Sequence, residues 1–150
     1  MTSEPSAGWL EGREHVLPVR IYYEDTDFTG VVYHANYLRY FERGRSDFLR
    51  LAGVSHIELR DRAEPLAFVV RAMELKFIRP ARVDDAMVVH TLYRPPKGPR
   101  LPIRQHITRG EEMLASVEVE VVCIRLDGRP VRPPPDIVAK LAKWFDAATP

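Results

Sequence analysis

One long amphipathic segment constrains the fold of this 150-residue chain more than any other feature. Residues 36–52 repeat apolar side chains with the 3.6-residue period of an α-helix. The residues that share one wide arc of this helix are Tyr37, Tyr40, Phe41, Gly44, Phe48, Leu51 and Ala52. Asn36 is predicted to cap its start, and Gly53 is predicted to end it. A helix with so wide an apolar arc must pack against another element.

Strand-like runs supply that element. A half-buried strand is predicted to begin at Val16. At the other end of the chain, a short terminal helix is predicted over residues 136–146. Four further runs with strand character follow the long helix, at 66–78, 86–94, 101–109 and 113–126. Strands joined in sequence by short turns are usually antiparallel. The chain is therefore predicted to be α+β, with an antiparallel sheet of five to six strands packed on one long helix.

Composition narrows the class of protein. Hydrophobic residues make up 45% and charged residues 29% of the chain, as in ordinary globular proteins. A net charge of +1 argues against a nucleic-acid-binding protein. No apolar run approaches the roughly 20 residues of a membrane helix. The single cysteine, Cys123, excludes an intrachain disulfide and falls on the apolar face of a strand, where an inert thiol is expected.

Residues 1–15 lack periodicity and are predicted to form a flexible N-terminal arm. The first residues show no charged and apolar regions of a signal peptide, so a cytoplasmic location is expected. One domain is predicted over 16–146, followed by a C-terminal tail at 147–150.

The segment between the first strand and the long helix, residues 22–37, combines three acids, a histidine, four tyrosines and a glycine. It is open to three interpretations. Its aspartates could simply bond their own backbone in a turn. Asp25, Asp27 and Gly30 also match three positions of a calcium-binding loop, although Asn36 stands where a glutamate is needed and a strand precedes the loop.

The third interpretation is catalytic. A carboxylate in a turn beside a helix start faces free N–H groups and the positive end of the helix dipole. Those N–H groups can polarise a carbonyl oxygen while the carboxylate attacks, or directs a water, at the carbonyl carbon. Asp27 and the amides of residues 33–35 have this relationship.

The motif is specific enough to suggest a family. Residues 19–38 (VRIYYEDTDFTGVVYHANYL) followed by 41–45 (FERGR) closely resemble hotdog-fold thioesterases of the 4-hydroxybenzoyl-CoA thioesterase group. Within that group the chain is most similar to the YbgC-type branch, which is encoded with the Tol–Pal envelope system. Later segments agree, at 67–71 (AFVVR), 80–85 (PARVDD) and 118–123 (EVEVVC).

This resemblance implies an acyl-CoA thioesterase whose sheet wraps the long helix. It implies a homodimer joined edge to edge or a homotetramer, active sites at the dimer interface, and no metal or cofactor. By position, Asp27 matches the catalytic carboxylate, and Tyr23 and His34 match residues used beside it. The His34 N–H matches the group that holds the thioester carbonyl. The residues expected to shape the substrate site in the same loop are Gly30, which would allow close backbone approach, Val32 and Tyr33.

Coenzyme A carries phosphates, so a cationic rim is expected near the site. Lys97, Arg100 and Arg82 lie in loops that could supply it. Relatives commonly have small hydroxyl residues where this chain has Pro99-Arg100. An acyl-carrier-protein thioester, with peripheral association at the inner membrane, is therefore an alternative substrate. A non-catalytic hotdog scaffold is a further alternative.

The remaining polar residues are given structural interpretations. Glu42 and Arg45 are expected to form an ion pair on the helix, and Glu42 is a weaker candidate for a catalytic acid. Ser55 lacks the glycines of a serine-hydrolase motif. The other histidines show no metal-ligand spacing, so no metal site is predicted from His15, His56, His90 and His106.

Overall fold

A six-stranded antiparallel sheet and one long helix dominate the computed structural model, which describes residues 3–5 and 7–147. Within those residues the strands are β1 (Trp9–Glu11), β2 (Glu14–Arg20), β3 (Leu66–Phe77), β4 (Ala86–Tyr93), β5 (Arg100–Arg109) and β6 (Glu112–Arg125). The helices are α1 (His34–Leu51), α2 (His56–Arg60) and α3 (Pro135–Leu141), with short 3₁₀ turns at Tyr23–Asp25 and Ala142–Trp144. The predicted α+β class is confirmed.

The strand order is β1-β2-β4-β5-β6-β3, and every pairing is antiparallel. After β2 the chain runs through α1 and α2 and enters β3 at the far edge of the sheet. Side chains alternate between the two faces of each strand. On β4, Met87, Val89, Thr91 and Tyr93 are buried on the α1 side, whereas His90 lies on the opposite face.

Helix α1 approaches the sheet most closely at Gly44. A Cβ atom added there would lie 2.8 Å from Thr91 Oγ1 and 2.9 Å from Val89 Cγ1. The buried Gln105 amide donates hydrogen bonds to the Phe41 carbonyl at 2.8 Å and to Thr91 Oγ1 at 2.9 Å. Because the helix backbone bonds directly to sheet side chains, the absence of a side chain at Gly44 sets the distance between the two layers.

The start of α1 differs from its prediction by two residues. Asn36 does not cap the helix, because its side-chain amide donates instead to the Asp25 carbonyl at 2.8 Å. Tyr33 takes the N-cap position, and its side chain accepts no hydrogen bond from the helix. The end is close to the prediction, since Gly53 follows the last turn with a φ of 91°.

Residues 9–11 and 14–15 of the predicted N-terminal arm form strands of the sheet. Trp9 pairs with Val16 and Glu11 with Glu14, so the chain forms a hairpin around a two-residue turn in which Gly12 has a φ of 63°. The predicted domain boundary at residue 16 therefore falls inside β2, and part of the proposed arm belongs to the sheet. A two-residue turn gives too little sequence for periodicity to reveal it.

The C-terminal helix is shorter than predicted, because α3 ends at Leu141 and a 3₁₀ turn continues to Trp144. Of the predicted tail at 147–150, residues 148–150 lie outside the described residues. No helix within the described ranges is long and apolar enough to span a bilayer.

Candidate active site at the start of the long helix

A small hairpin-like loop carries the candidate catalytic residue. Thr26 pairs with Val32, and Asp27 and Gly30 close the turn between them through a Gly30 N–H to Asp27 carbonyl bond of 3.1 Å. Gly30 has a φ of 83°, a conformation that residues with a Cβ rarely adopt. A Cβ there would meet no atom within 4 Å. Within this chain the glycine is therefore required by its backbone conformation, and the open space beside it leaves room for close approach.

The Asp27 carboxylate is held by the residue two positions along the chain. Its Oδ1 accepts from the Thr29 N–H at 2.8 Å and from the Thr29 hydroxyl at 2.5 Å. These bonds, with the hydroxyl bond the larger contribution, lower the pKa of Asp27 below the usual value for an aspartate. Neither bond uses Oδ2. The group is therefore a fixed carboxylate, ionised at neutral pH, with its second oxygen outside these two contacts.

The loop is tied directly to the first turn of α1. The Asp25 carbonyl accepts the Tyr33 N–H at 3.0 Å and the Asn36 side-chain amide at 2.8 Å. The Asp25 carboxylate accepts the Tyr22 N–H at 2.8 Å and closes the preceding 3₁₀ turn. The turn before Asp27 and the start of α1 therefore form one hydrogen-bonded unit.

A second anchor comes from the loop before β4. The Val32 N–H donates to the Ala81 carbonyl at 2.8 Å, and the Ala81 N–H donates to the buried Tyr37 hydroxyl at 3.1 Å. Val31 also bridges to Arg82. Through Tyr37, helix α1 thus holds the loop before β4, and that loop in turn bonds to the candidate site loop.

The predicted residues of this motif come together at the helix start. Asp27 and Gly30 lie in the turn, Tyr33 occupies the N-cap position, and His34 is the first helical residue. The Val32 side chain is buried, with 5% exposed, so within one chain it packs in the core.

Tyr23 lies apart from the core. Its side chain is 85% exposed, because β2 ends at Arg20 and the chain turns into a 3₁₀ helix. The Tyr23 side chain therefore does not pack in the core of this chain. Its carbonyl accepts from the Thr26 hydroxyl at 2.7 Å, which places its backbone beside the loop.

The predicted cationic rim divides into two places. Lys97 and Arg100 face each other across a tight turn that follows β4. The site loop follows Arg20, which pairs with Ala86 at the start of β4. The turn at Lys97 and Arg100 follows the other end of this eight-residue strand, and the length of the strand, roughly 26 Å at the usual rise per residue, separates the two. One chain therefore does not bring Lys97 or Arg100 to Asp27, whereas Arg82 lies beside the loop.

Asp25 and Asp27 each accept a backbone N–H, as the turn interpretation predicts. One interpretation from the sequence is corrected. Glu42 and Arg45 do not form the expected ion pair. Arg45 is buried and donates to Gln105 Oε1 at 3.0 Å, while Glu42 accepts from the Ser46 hydroxyl at 2.6 Å.

Sequence reasoning missed Thr29 and Phe77 as neighbours of the site. An aspartate two residues before a threonine is a common turn motif, so Thr29 could have been found from sequence. The Phe77 ring lies edge-on to His34, with centroids 6.3 Å apart, and the Tyr33 ring lies 4.6 Å from that of His34. Phe77 ends a strand on the far edge of the sheet, and only the fold brings it here.

Comparison with known proteins identifies the family of this chain. The family model described as the thioesterase-like superfamily matches residues 22–141. The chain belongs to this superfamily. The acyl-CoA thioester hydrolase YbgC of Escherichia coli is 43% identical over 125 residues, which are 82% of this chain and 92% of that protein. The acyl-CoA thioesterase YbgC of Haemophilus influenzae is 39% identical over 124 residues, which are 82% and 90% of the two chains.

A solved structure extends the likeness to the fold of this thioesterase-like chain. The crystal structure of a probable thioesterase from Bartonella henselae is 45% identical, with a TM-score of 0.78, over 81% of this chain and 99% of that one. The resemblance inferred from residues 19–45 is confirmed, as is the hotdog fold. The chain is a thioester hydrolase.

Proposed function

We propose that this thioesterase hydrolyses acyl-CoA thioesters, with Asp27 as the reacting carboxylate and the first turn of α1 as the site that holds the thioester carbonyl. The observation that carries the proposal is the joining of these two parts. A carboxylate with a lowered pKa lies in a turn that is hydrogen-bonded to the start of an uncapped helix. The YbgC relatives support the choice of acyl-CoA as substrate.

Asp27 supplies the group that acts on the thioester carbon. A protonated aspartate neither attacks nor accepts a proton. An aspartate is ionised at neutral pH, and the Thr29 bonds, which lower the pKa of Asp27, extend that ionised form to more acidic pH. Thr29 binds only Oδ1, and Oδ2 is the oxygen that we assign to the chemistry. In one route Oδ2 removes a proton from water, which adds to the carbonyl. In the other it adds to the carbonyl itself, and water then hydrolyses the anhydride.

Both routes place negative charge on the carbonyl oxygen before the C–S bond breaks and the thiolate leaves. The first N–H groups of a helix have no partner in the helix itself, and the dipole makes that end positive. No side chain caps α1 through a hydrogen bond. We assign the His34 N–H to the oxyanion, with the His34 and Tyr33 side chains beside the acyl group.

A second copy of the chain would complete the site. Strand β3 pairs only with β6 among the described strands, so its other edge is open. Four large apolar side chains are exposed along and just after this strand, namely Val69, Val70, Phe77 and Ile78. An open apolar edge of this length is normally covered. Pairing of two β3 strands would bury Phe77 near His34, and a partner could bring Lys97 and Arg100 to the coenzyme.

The test is release of free thiol from short, medium, long and aromatic acyl-CoA esters by the wild type and by Asp27→Asn. The amide keeps the shape but neither attacks nor accepts a proton, so turnover should fall by about 10²–10⁴-fold. Asp61→Asn is the matched control, since Asp61 lies exposed in an ion pair with Arg60 beyond α2 and should leave turnover unchanged.

Full turnover by Asp27→Asn would overturn the catalytic assignment. If the enzyme releases no thiol from any CoA ester but cleaves the same acyl groups from acyl-carrier protein, the proposed substrate class is wrong. The role of Asp27 can then still be tested with Asp27→Asn on the carrier-protein thioesters. No release from either carrier would overturn the proposed function as a whole.

A further inference from the structure

Three side chains that are far apart in the sequence meet on the outer face of the sheet, away from α1. Glu14 comes from β2, His90 from β4 and His106 from β5. His90 and His106 are direct cross-strand partners, and their rings stack with centroids 4.2 Å apart. Glu14 Oε1 lies 3.0 Å from His90 Nδ1 and 4.0 Å from His106 Nε2. We call these three residues the outer-face triad.

The ring nitrogens of His90 are in different situations. Nε2 lies 2.9 Å from the Thr108 hydroxyl, which fixes the ring on one side. Nδ1 is buried and makes no aligned hydrogen bond, although Glu14 Oε1 is close to it. When Nε2–H donates to Thr108, Nδ1 presents a lone pair to a carboxylate, and two electron-rich atoms then face each other. A cation between them would relieve that repulsion and use both lone pairs.

We infer that the outer-face triad binds a late first-row divalent cation, for which Zn²⁺ is the probe. Two imidazoles and one carboxylate form a donor set that suits zinc, whereas calcium and magnesium prefer oxygen ligands alone. Ligands at zinc distances in a tetrahedron lie about 3.3 Å apart. The separations of 3.0 and 4.0 Å from Glu14 bracket that value. The two imidazole rings lie parallel in this structure, so they must rotate out of the stack before both nitrogen lone pairs point at one ion.

The surroundings fit a bound ion with one open position. The three side chains are partly exposed, at 19% for His90, 31% for Glu14 and 30% for His106, so an ion can enter and a water can complete its coordination. Thr108 holds the other His90 nitrogen, as groups behind a metal-binding histidine commonly do. A bound ion would connect β2, β4 and β5 and hold the edge hairpin on the sheet. The site does not depend on the proposed function.

The test uses the full chain without a histidine tag, freed of metal with a chelator. Isothermal titration with ZnCl₂ should show one Zn²⁺ per chain. Glu14→Gln and His106→Asn should each weaken the affinity at least tenfold. His56→Asn is the matched control, since His56 lies on α2 and should leave binding unchanged. Co²⁺ in place of Zn²⁺ should give visible absorption bands of a four-coordinate site, and these should disappear in Glu14→Gln.

Thermal unfolding gives a second measurement if a variant folds poorly. Zn²⁺ should raise the melting temperature of the wild type and of His56→Asn, but not that of Glu14→Gln, because binding to the folded state alone stabilises it. The inference would be overturned by a stoichiometry near zero. Binding of equal strength in the wild type and both triad variants would overturn it as well, since that result describes an adventitious ion only.

Discussion

Replacing Gly44 with alanine tests whether the distance between helix and sheet is set by one missing side chain. Alanine is the best helix former, and glycine in a helix interior is about 1 kcal/mol worse. On helix propensity alone, Gly44→Ala should therefore stabilise the protein. The structure predicts the opposite, because the new Cβ would lie within 3.0 Å of both Thr91 Oγ1 and Val89 Cγ1.

The size of the effect follows from these contacts. Forcing an extra carbon into a packed core costs about 2 kcal/mol. The new Cβ would also lie 3.1 Å from Gln105 Nε2, so the Gln105 to Thr91 hydrogen bond is disturbed at a cost of about 1 kcal/mol. The propensity gain returns about 1 kcal/mol. We expect a net loss of about 2 kcal/mol in the free energy of unfolding.

The assay is urea unfolding followed by tryptophan fluorescence, because Trp144 packs edge-on to Phe48 of α1. Protein concentration must be held constant, because the proposed association of two copies would contribute to the apparent stability. The same substitution in a Thr91→Ala background should cost about 1 kcal/mol less, because the nearest clashing atom is gone. A Gly44→Ala variant as stable as the wild type, or more stable, would refute the argument.

Two further predictions concern the anchors of the candidate site. Tyr37→Phe leaves the Ala81 N–H without its acceptor, so we expect a loss of about 1–3 kcal/mol in urea unfolding and a reduced kcat, and unchanged stability would contradict this. Thr29→Val removes the bond that contributes most to the lowered pKa of Asp27. The pKa of Asp27 should rise toward the ordinary value of an aspartate, so the acid limb of kcat/KM should move to higher pH, with recovery in Thr29→Ser. If Thr29→Val left the acid limb of kcat/KM unchanged, that limb would not report the ionisation of Asp27.

The sheet and the long helix could be predicted because periodic burial marks them locally. Val117, Val119 and Val121 alternate toward the core of β6, and the structure buries all three. Element ends were less predictable, because they depend on single hydrogen bonds. Asn36 has the chemistry of a cap, but the Asp25 carbonyl takes its side chain, and the helix therefore begins at His34.

The candidate site was predictable to the extent that it is contiguous in sequence. Asp27, Gly30 and His34 belong to one loop and the helix that follows it, so a single motif contained them. Phe77 and the Ala81 anchor come from other parts of the chain, and they reach the site only through the sheet order. His90 and His106 illustrate the same limit, because their contact is created by the register of β4 on β5.

The uncapped start of α1 also implies a compromise between stability and activity. A serine or aspartate at the position of Tyr33 would bond to the free amides of the first turn, and such caps commonly add about 0.5–2 kcal/mol. The chain forgoes this gain, and under the proposed function a capping oxygen would occupy the place of the thioester oxygen. A capping side chain would then compete with the substrate for the same N–H groups. Selection for turnover would therefore keep the fold less stable than its backbone allows.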